Sequence, residues 1–126
     1  MALHVIKVTT TGSAGSATGD STTGFDLDNE LIGAIKIDYH ASAPATTDVT
    51  IEETEGLQRA ILTISDNATD GTYYPRHGTH DNTGSSSGGT EFFIVAGPVK
   101  VSVAQSDALT DVVTVYIQTI YNQAVN

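Results

Sequence analysis

Alternation of apolar and polar positions runs through most of the chain. Residues 31–40 put Ile35, Ile37 and Tyr39 on one face and Ala34, Lys36, Asp38 and His40 on the other, the period of two expected of a half-buried strand. Residues 48–53 repeat the pattern with Val49 and Ile51 inward. Residues 99–104 set Val99, Val101 and Val103 against Lys100, Ser102 and Ala104. Residues 112–121 set Val113, Val115 and Ile117 against Val112, Thr114, Tyr116 and Gln118. In 59–65, Ala60, Leu62 and Ile64 share a face that Ile61 opposes, and Glu55-Gly56 predicts a hairpin turn before them. Thr72, Tyr73 and Tyr74 predict a short edge strand, ended by Pro75, which has no N–H for a ladder. Residues 91–96 include Phe92, Phe93, Ile94 and Val95, are apolar on both faces, and read as a central strand.

Elsewhere the alternation fails. Residues 3–9 keep it loosely enough for a first strand, but 10–24 are almost entirely Thr, Gly, Ser and Ala. Such side chains bury little apolar surface to offset the entropy of ordering the backbone. The expected organisation is therefore a flexible arm and link over 1–24, followed by a single domain over 25–126. Residues 76–90 form a second polar tract, longer than an ordinary connection, and read as either a functional surface loop or a mobile segment. The loop 66–71 ends in Asp70-Gly71, a pair that favours positive φ. About seven or eight strands, many spaced by turn signals every 8–12 residues or so, make an all-β chain, an antiparallel β-sandwich or jelly roll. No internal repeat is visible.

Composition sharpens that reading. The 126 residues include 19 Thr and 10 Ser, and Leu is scarce beside Val and Ile; stiff β-branched side chains suit a pleated strand. Charged residues are only 16%, too few for long solvated helices laced with ion pairs. Five Lys and Arg against fifteen Asp and Glu give a formal charge of −10, which argues against nucleic acid and against anionic membranes as partners. Cysteine is absent, so disulfides, thiolate metal sites and thiol nucleophiles are excluded together. The opening Met1-Ala-Leu-His-Val-Ile-Lys-Val has no apolar signal core, and the expectation is a soluble acidic domain.

Candidate chemistry is sparse. Gly84-Ser-Ser86-Ser-Gly88 matches the G-x-S-x-G pattern of a nucleophile elbow, but no apolar strand leads into it and no helix leaves it. His77, His80 and Asp81 offer two imidazoles and a carboxylate in a glycine-rich tract that supplies no rigid backbone to hold a metal. Asp26, Asp28, Asn29 and Glu30, like Asp66, Asn67, Asp70 and Gly71, resemble fragments of a calcium loop without its twelve-residue ligand spacing. Asn67-Ala-Thr69 is a glycosylation sequon with no secretory context. With no Trp and most Tyr and Phe in predicted strands, stacking platforms for a glycan are few. No cofactor, metal or catalytic residue is expected, and the chain reads as a non-enzyme. Tyr73, Tyr74 and Arg76 instead have the composition of an interface anchor. Leu3, Val5, Ile6 and Val8 on the arm are the other interface candidates, through strand addition to a partner's edge.

Five segments, taken in order, carry a family likeness: residues 33–39, 47–51, 60–64, 70–76 and 93–104. Over residues 31–120 the chain resembles the capsid decoration, or cement, proteins of tailed bacteriophages. The resemblance implies a β-sandwich or jelly-roll subunit, a homotrimer, made in the host cytoplasm and seated on the outer capsid surface of the virion. Its partners would be the major capsid protein and further copies of itself. Such proteins bind by surface shape, so no functional residue is carried over. A phage tail or fibre module that binds a receptor or glycan, and a metal-dependent enzyme with its metal around His77 and His80, are the competing classes.

Overall fold

The computed structural model describes residues 1–23, 27 and 30–121, the last by its backbone alone. The described residues form ten strands and no helix: β1 Ala2–Val8, β2 Ala17–Thr22, β3 Glu30–Tyr39, β4 Asp48–Glu53, β5 Ala60–Ile64, β6 Gly71–Tyr73, β7 His77–His80, β8 Ser86–Glu91, β9 Val99–Ser106 and β10 Val113–Tyr121. Eight of them make two four-stranded sheets, one in the order β1-β10-β3-β6 and the other β2-β9-β4-β5, and every pairing is antiparallel. The protein is all-β, a sandwich of two sheets with a separate β7–β8 hairpin.

Each sheet turns one face inward, as period-two patterning requires. Ile6 and Val8 of β1, Ile35 and Ile37 of β3, and Val113, Val115 and Ile117 of β10 meet Val49, Ile51, Val99, Val101 and Val103 from the second sheet in one buried cluster. At about 25 cal/mol per Å² of apolar surface removed from water, burial of these side chains is the main stabilising term.

The tract expected to be a flexible link is ordered. Thr10 and Thr11 bond to Leu109 and Thr18, the Thr10 hydroxyl donates to Asp107 O (2.6 Å), and Gly15 N donates to the Asp107 carboxylate (2.9 Å). Residues 17–22 then form β2 against β9. Gly19 crosses so close to the chain leaving β1 that a Cβ there would sit 2.2 Å from Thr9 O. The expected arm is likewise a full strand of the first sheet, in register with β10 from Ala2↔Thr119 to Val8↔Val113. An edge strand held by a backbone ladder on one side needs few apolar side chains; β2 pairs with β9 and buries only Ala17 completely.

Three further expectations are corrected. Residues 91–96 are not a central strand: Phe93 and Val95 are buried while Phe92 and Ile94 are exposed. Residues 93–95 lie along the outer edge of β3, where Ile32 N donates to Phe93 O (3.0 Å) and Val95 N to Glu30 O (3.0 Å), beyond the end of β6. Ile61 is buried although alternation sets it opposite Leu62, because the β4–β5 register shifts beside it. The positive φ of the 66–71 loop falls on Asp66, and Gly71 opens β6 instead.

The 76–90 tract is a hairpin, not a loop, with His77↔Glu91 and His80↔Ser86 in register. All six β8 residues are exposed.

Candidate interaction surface

The outward faces of the two sheets differ in character. On the second sheet, Asp20, Thr22, Lys100, Ser102, Asp48, Thr50 and Glu52 alternate with the buried residues, a hydroxyl-rich and acidic surface crossed by a Lys100–Glu52 pair at 3.6 Å. On the first sheet the outward rows follow from the register. Val5, Tyr116, Lys36 and Thr72 form one row across all four strands. Leu3, Gln118 and Ala34 form the next, and Ile120, Leu31 and Ile94 the one beyond the bulge at Gln118/Thr119.

Among the described residues, eight large apolar side chains are exposed. Leu57, 80% exposed, lies on the β4–β5 turn. The other seven are Met1, Leu3, Val5, Tyr74, Phe92, Ile94 and Ile120, and all belong to the first sheet's outer face or its β6 margin. Leu3 and Val5 are 62% and 51% exposed. Between them and β6, Leu3, Ala34, Lys36, Thr72, Tyr116 and Gln118 line a shallow depression of about 390 Å³. Exposed apolar side chains gathered on one face mark a contact site more often than scattered ones do.

Cations gather on the same face. Lys36 Nζ lies 5.3 Å from the Tyr116 ring centre and 3.6 Å from Asp38 Oδ2. Lys7, beside Val5 on β1, is exposed and makes no ion pair among the described residues. At the other margin the Arg76 guanidinium stacks 3.8 Å from the Phe92 ring centre, and its Nη1 donates to Pro75 O (2.7 Å) and Gly33 O (3.4 Å). Stacking and two backbone acceptors hold Arg76 flat against the sheet edge. Arg59, by contrast, is tied to Glu53, and Lys100 to Glu52.

The interface candidates divide. Leu3 and Val5 lie on this face at its β1 edge, and Tyr74 and Arg76 at the opposite, β6 margin; Ile6 and Val8 point into the core, and Tyr73 packs against it. Tyr116, Ala34, Leu31 and Ile120 complete the surface without having been singled out. The signal for Tyr116 and Ile120 was the polar-labelled face of the last strand, where an aromatic and an isoleucine sit two and six residues beyond Thr114.

The other motifs occupy local roles. Gly84–Gly88 spans the hairpin turn and the start of β8, and the Ser86 hydroxyl accepts from Gly88 N (3.3 Å). The His77 ring meets Phe93 edge-on at 5.2 Å. Asp81 accepts from Thr83 N, Thr83 Oγ1 and Ser85 N, and these bonds, the Thr83 hydroxyl first, hold its carboxyl below the usual range. Asp70 accepts from Tyr39 N (2.7 Å), and Asn67 donates to the Tyr39 hydroxyl (3.3 Å) and to Thr69 O (3.0 Å), so this loop spends these polar atoms on Tyr39 of β3 and on its own turn. No group of three or more His, Cys, Asp or Glu among the described residues is placed to hold a metal. Of the 26–30 calcium fragment, Asp26, Asp28 and Asn29 lie outside the described residues.

Fold and surface together define a small two-sheet β-sandwich with one apolar, cation-bordered outer face. No family model matches the chain, and no curated protein matches it. Among solved structures the chain is similar to one chain of the structure of infectious bursal disease virus, Gx strain, at 12% identity and a TM-score of 0.42. The match covers 97% of this chain and 33% of that one, so the chain spans about a third of its neighbour's length. Likeness at this level assigns no role to any residue.

Proposed function

We propose that the protein is a virion structural subunit that decorates and stabilises an icosahedral capsid by binding the lattice of the major capsid protein. The observation that carries the reading is the concentration of seven exposed apolar side chains on one sheet's outer face and margin. The likeness of residues 31–120 to phage decoration proteins supplies the partner and the site, the outer capsid surface, with a homotrimer at threefold or quasi-threefold positions. The role is passive contact between folded surfaces, without turnover. Cryo-electron microscopy of the particle that encodes the chain tests it. Density for the sandwich on the shell at those axes is expected, and a bare shell would reject the proposal.

The β7–β8 hairpin, a sheet of its own and exposed along all of β8, favours a tail or fibre module as the second reading. Copy number separates the two: hundreds of copies per virion fit decoration, and a handful fit a tail.

A further inference from the structure

Lys7, Lys36 and Arg76 are three of the chain's five cations, and all three border the apolar face of a molecule whose net charge is −10. We infer that this face docks a protein surface that is apolar at its centre and carries carboxylates at its rim. The inference deepens the capsid reading and rests on it for the partner, the surface of the shell lattice.

The geometry sets out both halves of that complement. Leu3, Val5 and Tyr116 present an apolar centre around the depression, where a partner's apolar side chain would leave water favourably. Lys7 flanks the centre on β1, Lys36 stands over Tyr116 on β3, and Arg76 lies beyond β6, so positive charge borders it on two sides. Of the acids on this side of the sheet, Asp38 stands beside Lys36 and Asp70 accepts from Tyr39 N at the start of β6. A carboxylate opposite Lys7 or Arg76 gains a charge-assisted hydrogen bond, whereas a basic rim meets like charge. Self-packing by the same face about a twofold axis would set these cations against each other, which disfavours a second copy as the occupant. The opposite sheet, with Asp20, Asp48 and Glu52 outward, is repelled by an acidic lattice. Charge therefore selects which side of a −10 subunit lands.

Binding to emptied, stripped heads of the encoding particle tests the inference, read by co-sedimentation with the full chain. Leu3→Asp, Lys36→Glu and Lys7→Glu change exposed positions of the face; Lys100→Glu is the control on the second sheet. Wild type is expected to bind, the first three variants to weaken binding by about tenfold each, and Lys100→Glu to stay within about twofold. Circular dichroism melts confirm that each variant is folded, and Lys7→Glu answers should Lys36→Glu, next to Asp38, fail that check. Full binding by Leu3→Asp with Lys7→Glu, or equal loss in Lys100→Glu, overturns the face assignment and leaves the capsid reading standing. A wild type that ignores the heads overturns both. Mass photometry showing an oligomer that Leu3→Asp dissolves would make a second copy the occupant, which also overturns the inference.

Discussion

Arg59 clasps Glu53 across the turn joining β4 to β5, its Nε donating to Oε1 at 2.7 Å and its Nη2 to Oε2 at 3.0 Å. The carboxylate also accepts from Ala96 N (2.9 Å) and Arg59 N (3.2 Å), while Arg59 Nη2 reaches Ile94 O (2.8 Å). One buried carboxylate thus fastens the β4–β5 turn to the segment that edges β3. Glu53→Gln keeps the shape and removes the charge. It is expected to lower unfolding free energy by about 2 kcal/mol, as loss of hydrogen bonds to a buried charged group does. Urea denaturation at neutral pH measures it.

The same group fixes an acid limb of stability. Burial works to raise the Glu53 carboxyl, and the Arg59 guanidinium with the Ala96 and Arg59 amides outweighs it, leaving the group below its ordinary value. A folded value under the unfolded one contributes stability that is complete above the unfolded range, near pH 4.3 or so, and is lost as pH falls through the folded value. The gap between wild type and Glu53→Gln should therefore hold constant from about pH 7 to pH 5 and close below about pH 4. Melting temperatures across that range check the sign.

Gly19→Ala tests the crossing of β2 past the end of β1. An added methyl would meet the Thr9 carbonyl at 2.2 Å, backbone that the adjoining Thr10 N to Leu109 O bond holds in place. Destabilisation of about 2 kcal/mol or more is expected, as for overpacking of a tight site. Gly15→Ala is no control, since φ there is positive; Gly78→Ala, with open space around it, is one and should change stability by under about 1 kcal/mol.

Deleting residues 2–24 should abolish cooperative unfolding rather than release a spare arm. The cut removes an edge strand from each sheet and takes Ile6, Val8 and Ala17 out of the buried set. Each large side chain lost from a core costs about 2–5 kcal/mol, which approaches the whole stability of a domain this size. A sharp thermal transition in the truncated protein would contradict the prediction.

What the sequence made legible follows from what each strand buries. β3, β4, β9 and β10 line the core on alternate residues, so Ile35, Ile37, Val49, Ile51, Val101 and Val115 announced both strand and face. β2 is held by its ladder to β9, and a run such as Ala-Thr-Gly-Asp-Ser-Thr carries no apolar period to read. The hairpin is invisible for the same reason, since neither face of β8 is buried. Residues 92–95 misled in the opposite direction: four apolar neighbours look central, yet Phe92 and Ile94 face out because the segment meets only one edge of β3. Of the proposed surface, Leu3, Val5, Tyr74 and Arg76 were legible individually. Their assembly with Tyr116 and Ile120 depends on which strands are neighbours, and alternation carries no strand order.

In the first sheet, β1 takes its backbone partner from β10. Val8 and Val113 are brought together from about a hundred residues apart, the kind of long-range closure that slows folding. During synthesis β1, bearing Leu3, Val5, Ile6 and Val8, lacks its ladder partner until β10 has left the ribosome. The half-made chain is then the state most exposed to aggregation, and yield in the host should respond to translation speed and chaperone supply more than to the stability of the finished sandwich.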